Sequence, residues 1–206
     1  MKSKFHILIL ALLVAMIAGT TGCKTYMKLK HGMAVPAEET PESLISFLEK
    51  HKFPAGDLYM FSDSTSYYRL MKNTVYMKHF LSHMIFDRNG LLLQRDTAEC
   101  QWAGSDAIRA LDPRAACSYW PGFTLDQILP FIKPFGRKEA SWSTEKNPDF
   151  TIIVTWGKFL GQYNYRLFDL EKAVRENKTA AIRVVWLNID IQQSWHVTEQ
   201  QKLRIK

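Results

Sequence analysis

Residues 150–190 constrain the fold more than any other part of this 206-residue chain. The segment opens with the apolar run FTIIVTW and ends with the run AAIRVVWLNID, and between them Leu167, Leu170 and Ala173 share one face of a helix over 163–177. A strand, a helix and a second strand form a βαβ unit, in which a right-handed crossover makes the two strands parallel. The sequence therefore predicts an α/β fold.

Shorter elements precede this unit. The segment 83–94 holds two apolar runs around D-R-N-G, and Asn-Gly supplies the positive φ that a hairpin turn requires. LYMF at 58–61 predicts a strand, and Thr40 predicts the N-cap of a helix. Further helices are expected near 105–111 and in the run that follows Thr124, which we assign as a cap.

The first 22 residues have the composition of a secretory signal. Lys2 and Lys4 precede a 14-residue run over 5–18 that contains one polar residue, and small residues follow as far as Cys23. The apolar run is too short for a typical transmembrane helix. The motif T-T-G-C at its end resembles the lipobox of bacterial lipoproteins, whose cysteine carries diacylglycerol and becomes the first residue after cleavage.

This resemblance implies a signal peptide over 1–22, a lipidated Cys23 with a tether as far as residue 40, and a single domain over 41–206. The motif departs from the lipobox at Thr20, where Leu is usual. An ordinary signal peptide or an uncleaved anchor stays open as an alternative. In each case we expect the domain outside the cytoplasm. The resemblance implies lipid anchoring in the bacterial cell envelope, at the outer membrane or a periplasmic face, and Lys24 is compatible with outer-membrane sorting.

Charge and known motifs argue against several function classes. The chain has 27 Lys and Arg against 20 Asp and Glu, without the basic runs or interleaved aromatic residues of a nucleic-acid groove. It contains no G-x-S-x-G, P-loop or G-x-G-x-x-G motif. His79 and His83 have the spacing of one helix face, but the residues after them predict a strand and two ligands rarely suffice for a metal. We therefore predict no nucleic acid, no metal and no cofactor.

The end of the first strand of the βαβ unit resembles the active-site segment of thioredoxins. In TWGKFLGQY, residues 155–163, the matching positions are Trp156, Gly157, Phe159 and Gly161. Leu160 and Tyr163 stand where thioredoxins have the two cysteines of the C-x-x-C pair. Thiol exchange requires a thiolate at the helix N-terminus, which neither residue supplies. The resemblance therefore implies a degenerate thioredoxin-like domain.

A thioredoxin continues after its second βαβ strand with a further strand, a hairpin and a final helix. Only 16 residues follow residue 190 here. We therefore expect the hairpin at 83–94 and the helix near 105–111 to take those places. The resemblance then implies a thioredoxin-like sandwich with permuted element order, in which the hairpin half precedes the βαβ half.

The loop at the end of the first strand is the candidate binding surface. Ligands of open α/β sheets gather outside the carboxyl ends of the strands. The residues we assign to this surface are Trp156, Phe159, Leu160, Tyr163 and Asp190. The alternative is that the aromatic residues belong to the core and its rim.

The remaining cysteines, Cys100 and Cys117, predict one structural disulfide in an oxidising compartment. The alternative is an exchanging redox pair, which would make the chain an extracytoplasmic thiol–disulfide redox protein. We favour a membrane-anchored binding or scaffolding module, with a protein partner in the envelope, over an enzyme. A structural envelope lipoprotein without a recognition surface is the third possibility.

Overall fold

The computed structural model describes residues 32–53, 57–79, 83–94, 104–136 and 148–198. Its strands are β1 (Glu38–Glu39), β2 (Asp57–Phe61), β3 (His83–Asp87), β4 (Leu91–Leu93), β5 (Tyr119–Thr124), β6 (Ile132–Pro134), β7 (Phe150–Trp156), β8 (Ile182–Asn188) and β9 (Ile191–Gln192). Its α-helices are α1 (Pro41–His51), α2 (Ser64–Met71), α3 (Thr74–His79), α4 (Gly104–Arg109) and α5 (Arg166–Glu176). Short 3₁₀ helices cover Leu125–Gln127, Leu129–Phe131, Lys158–Tyr165 and Gln193–Trp195. Cys23 and Cys100 lie outside the described residues.

Seven of these strands form one mixed sheet in the order β5-β4-β3-β7-β8-β2-β6. The three neighbouring strands β7, β8 and β2 are parallel. Strands β3, β4 and β5 on one side, and β6 on the other, pair antiparallel with their neighbours. The predicted α/β class is confirmed, with antiparallel pairings in the majority.

Strand β7, helix α5 and strand β8 form the predicted βαβ unit. The parallel register extends from Phe150 opposite Ile182 to Trp156 opposite Asn188. The helix begins at Arg166 rather than near residue 163, because the chain first makes the 3₁₀ turns of Lys158–Tyr165. The crossover therefore contains an irregular loop between the strand and the helix.

Strands β3 and β4 form the predicted hairpin. The Asp87 carboxylate accepts hydrogen bonds from the amides of Asn89 at 2.9 Å and Leu91 at 2.8 Å, and Gly90 has a φ of 74°. Strand β3 then pairs antiparallel with β7. The hairpin, which comes first along the chain, therefore lies directly beside the βαβ unit, which comes later.

The helix predicted after Thr124 is wrong. Strand β5 ends at Thr124, whose side chain caps neither of the short 3₁₀ helices that follow within the described chain. Pro130 has no amide hydrogen with which to continue an α-helix. The amide of Leu125 instead donates to the Gly90 carbonyl at 2.8 Å, so this segment packs on the hairpin turn.

Two apolar cores lie on opposite faces of the sheet, because side chains alternate along each strand. Ile152 and Val154 of β7 belong to the core that includes residues of α1, α4 and α5. Ile153 belongs to the core that includes residues of α2 and α3. All seven residues of β7 are buried, as expected for a strand that is covered on both faces.

Asn177 connects the hairpin half to the βαβ half at the end of α5. Its Nδ2 donates to the carbonyls of Ile108 and Leu111, both at 2.9 Å. Its Oδ1 accepts from the amides of Thr179 at 2.8 Å and Ala180 at 3.0 Å. One buried amide therefore joins the end of α4 to the turn before β8.

Replacing Asn177 by Ala should destabilise the domain by about 3 kcal/mol, since it leaves buried backbone groups without partners. The measurement is the free energy of unfolding in urea. Lys178→Ala is the matched control, because the neighbouring side chain is exposed and should change stability by less than about 0.5 kcal/mol. Equal effects of the two substitutions would contradict this role of Asn177.

Candidate functional site

The candidate site is the strand-end loop, residues 157–165, which joins β7 to α5. Because β7 and β8 are parallel and Trp156 lies opposite Asn188, both strands end at the same edge of the sheet. Carboxyl ends of neighbouring parallel strands are where α/β folds place ligand sites.

Asn164 closes this loop from within. Its side chain is fully buried, and its Nδ2 donates to the carbonyl of Gly157 at 2.8 Å and of Gly161 at 3.1 Å. Its Oδ1 accepts from the Gly157 amide at 3.3 Å. The first and last turns of the loop are therefore held together by one amide side chain.

Asp190, which lies between β8 and β9, also holds the loop. Its carboxylate accepts from the Lys158 amide at 2.8 Å, the Phe159 amide at 3.5 Å and Asn188 Nδ2 at 2.8 Å. These amides begin the 3₁₀ segment, where backbone N–H groups lack partners of their own. Asp190 therefore caps this segment although it lies 32 residues further along the chain.

Burial governs the ionisation of Asp190. Only 1% of the residue is exposed, and this burial raises the pKa of its carboxyl to about 6. The hydrogen bonds from Asn188 and from the amides of Lys158 and Phe159 lower the pKa, while the nearby Glu39 carboxylate raises it. The desolvation effect is the largest, so Asp190 takes up a proton at a higher pH than an exposed aspartate.

Two glycines permit this geometry. A Cβ at Gly157 would lie 3.0 Å from the Phe159 ring and 3.3 Å from Asp190 Oδ1. Gly161 has a φ of 54° and a ψ of −130°, a conformation that only glycine adopts readily. Close approach thus favours glycine at position 157, and backbone conformation requires it at position 161.

Arg166 and Tyr163 form the outer part of the site. The Arg166 guanidinium lies 4.2 Å from the centroid of the Tyr163 ring and donates to the Thr155 carbonyl at 2.7 Å. Burial lowers the pKa of Arg166 to about 10 and raises the pKa of Tyr163. Both groups keep their ordinary charge at neutral pH, so Tyr163 is a neutral phenol packed against a cation.

The structure divides the five predicted surface residues into two groups. Trp156, Leu160 and Asp190 are at most 1% exposed. Trp156 lies in the core, where its ring stacks on Phe47 at 6.4 Å. The other two, Phe159 and Tyr163, are half-buried at the rim of a core. A partner could therefore touch only these two of the five directly.

Several residues of the site carry no sequence motif. Asn164, Asn188 and Gln192 are buried polar residues, and Glu39 forms an ion pair with Lys158 at 2.6 Å. The sequence shows only that amide side chains occur near apolar runs. It does not indicate which groups these side chains bond, because some of their partners lie far away in the sequence.

The predicted tether also differs from what is observed. We expected a linker as far as residue 40, but Glu38 and Glu39 form β1 and pair in parallel with Ile191 and Gln192 of β9. The N-cap predicted at Thr40 is confirmed, with Thr40 Oγ1 accepting from the Ser43 amide at 3.2 Å. The chain therefore contacts the domain before its first helix begins.

Cys117 carries a free, partly buried thiol that lies 3.6 Å from the Ala115 carbonyl oxygen. It lines a surface pocket of about 500 Å³ together with Arg88, Arg114 and Tyr119. Its predicted partner Cys100 falls outside the described residues, among which the structure contains no disulfide. The disulfide therefore stays a prediction.

The two histidines with helical spacing do not share a helix. Helix α3 ends at His79 and strand β3 begins at His83, which is buried. Over the described ranges, no three His, Cys, Asp or Glu residues are grouped as metal ligands. In the same ranges, no helix has the length and apolar character that crossing a bilayer requires.

Comparison with known proteins adds no relative. No protein-family model matches the chain, and neither a curated protein nor a solved structure is similar to it.

The buried carboxyl of Asp190 predicts an unusual pH dependence of stability. Its pKa is about 6 in the folded protein and near the ordinary 3.8 in the unfolded chain, so the unfolded chain releases this proton first as pH rises. The contribution of Asp190 to the free energy of unfolding is fully present below about pH 4. It declines by roughly 3 kcal/mol as pH rises to about 6.

The measurement compares urea unfolding of the wild type and Asp190→Asn from pH 4 to pH 7. The free energy of unfolding of the wild type, relative to that of the variant, should fall over this range. All other carboxyl groups are present in both proteins and cancel in the difference. A difference that stays constant with pH would show that Asp190 titrates like an exposed aspartate.

Proposed function

We propose that this chain is a non-catalytic binding module built on a thioredoxin-like fold. One observation carries the proposal: the strand-end loop is held from inside by Asn164 and from the turn after β8 by Asp190, yet contains no thiol. More specifically, we propose that it is a bacterial envelope lipoprotein that presents this loop to a protein partner.

The thioredoxin-like fold with permuted order is supported by the position of the hairpin. Strands β3 and β4 lie beside β7 and pair antiparallel with it and with each other. Helix α4 follows the hairpin and is joined to the end of α5 by Asn177. A hairpin and helix that follow the βαβ unit in thioredoxins would occupy this side of the unit.

A rigid loop suits recognition better than chemistry. Binding costs less entropy when the contact residues are already fixed in the free protein. Phe159 and Tyr163 keep part of their aromatic surface accessible, Gln162 between them is exposed, and Arg166 packs on Tyr163. Aromatic and Arg side chains of this kind provide much of the affinity of protein interfaces.

Membrane attachment through Cys23 is the second part of the proposal. Its support is the resemblance of T-T-G-C to the lipobox and the preceding apolar run. Two or three acyl chains would hold the domain stably at a bilayer, since each buried methylene contributes roughly 0.8 kcal/mol.

Cys23→Ser should abolish incorporation of a clickable fatty acid in growing bacteria and release the protein from the membrane fraction. Cys117→Ser is the matched control and should keep both the label and the membrane location. The measurement is in-gel fluorescence after fractionation. A wild-type protein without label would contradict lipidation, and would favour an ordinary signal peptide or an uncleaved anchor.

A photo-crosslinking residue at Gln162 should capture a defined envelope protein in intact cells, because this side chain is exposed in the middle of the loop. The same residue at Lys178 is the control, since Lys178 is exposed beyond the far end of α5. Phe159→Ala should reduce capture at Gln162 severalfold without changing thermal stability by more than a few degrees.

Capture that is equal at the two positions, or absent from both, would favour a structural lipoprotein without a recognition surface. Capture of a partner through a mixed disulfide would favour a redox protein that uses Cys100 and Cys117. In that case Cys117→Ser abolishes the capture, and a substitution in the strand-end loop does not.

A further inference from the structure

Residues 32–39, called the strap below, contact the strand-end loop and the strand β9 beside it. The Ala34 amide donates to the Phe159 carbonyl at 2.8 Å. At the other end of the strap, β1 pairs with β9, and the Glu39 carboxylate lies 2.6 Å from Lys158 Nζ. Both ends of the strap are therefore bonded to the loop or to the strand beside it.

Every third residue of the strap faces the domain. Met33, Pro36 and Glu39 are half-buried, while the residues between them are exposed. Residues 32–37 belong to no helix or strand. The strap therefore depends on its contacts with the domain for its conformation.

We propose that the strap is releasable, with the ion pair between Glu39 and Lys158 as its latch. Its release exposes the backbone of the strand-end loop and of β9. Segments held by few buried contacts open at much lower free energy than the whole domain.

The latch is partly shielded from solvent. The side chains of Glu39 and Lys158 are 11% and 30% exposed, and the Ser43 hydroxyl donates to the same Glu39 oxygen at 2.6 Å. A charge-assisted hydrogen bond in such surroundings is stronger than one on an open surface. This pair therefore joins a strap side chain to a loop side chain through a shielded ionic contact.

The loop keeps its own support when the strap leaves. The amide of Lys158 is held by Asp190, and the two turns of the loop are closed by Asn164. Neither interaction involves a strap residue. Release therefore changes the access to the loop without unfolding it, and it frees the Phe159 carbonyl and the edge of β9 for an extended partner segment.

Release also changes the reach of the domain, a consequence that rests on the proposed lipid anchor at Cys23. Ala34 lies eleven positions after Cys23 along the chain, and Thr40 lies seventeen positions after it. At about 3.5 Å per residue the maximum tether grows from roughly 40 Å to roughly 60 Å when the strap is free. The closed strap thus keeps the loop near the membrane.

The test is amide hydrogen exchange of the full chain, which does not depend on lipid or on any partner. In Glu39→Gln and in Lys158→Met, exchange at Ala34 should be about tenfold faster, the size expected for one shielded charge-assisted hydrogen bond. Exchange in β7 should be unchanged. Lys172→Met, which removes the exposed pair with Glu176, is the matched control and should leave Ala34 unchanged.

The double variant Glu39→Gln, Lys158→Met should open the strap no further than either single variant, because both remove the same pair. Additive effects, or exchange at Ala34 that is unchanged in both variants, would overturn the latch. A strap that exchanges only together with β7 would overturn release itself. If Cys23 is not labelled by the fatty acid, only the change in reach from the membrane is lost. The hydrogen-exchange result on the strap does not depend on lipidation.

Discussion

The burial of β7 on both faces is the constraint on which the rest of the structure depends. All seven of its residues are enclosed, with β3 on one side and β8 on the other. A strand in this position requires helices on both faces of the sheet, which α1, α4 and α5 provide on one face and α2 and α3 on the other. Its end is equally enclosed, so the backbone that leaves it must find hydrogen-bond partners inside the protein.

The backbone at the end of β7 needs hydrogen-bond partners, and this need explains why polar residues lie in the interior there. A carboxylate at position 190 can accept from two consecutive loop amides and from Asn188 at the same time, whereas an amide side chain has only one acceptor oxygen. The raised pKa of Asp190 reflects the desolvation that accompanies this arrangement. Asn164 satisfies the other end of the loop. A buried network whose members are bonded to the loop backbone favours one loop conformation over others, which is the property that a recognition surface needs.

The elements that depend on local pattern could be predicted from the sequence. The βαβ unit, the hairpin turn at Asn89 and Gly90, and the helix start at Thr40 follow from periodicity and turn chemistry. The run after Thr124 could not, because its backbone bonds to Gly90 and the proline at 130 breaks helical continuity. The loop at the end of β7 could be predicted as a position in the fold. Which of its side chains are exposed could not, because Trp156 has the same sequence signal whether it packs against Phe47 or faces solvent.

Lys158 contacts the strand-end loop and the strap through different groups. Its amide belongs to the loop, through Asp190, while its ammonium group belongs to the strap, through Glu39. Losing the side-chain contact therefore leaves the backbone contact intact. This turn offers a bonded carbonyl at Phe159 and a bonded cation at Lys158. If the strap is released as proposed, a partner strand would compete with residues 32–39 for this carbonyl, because the Ala34 amide already donates to it.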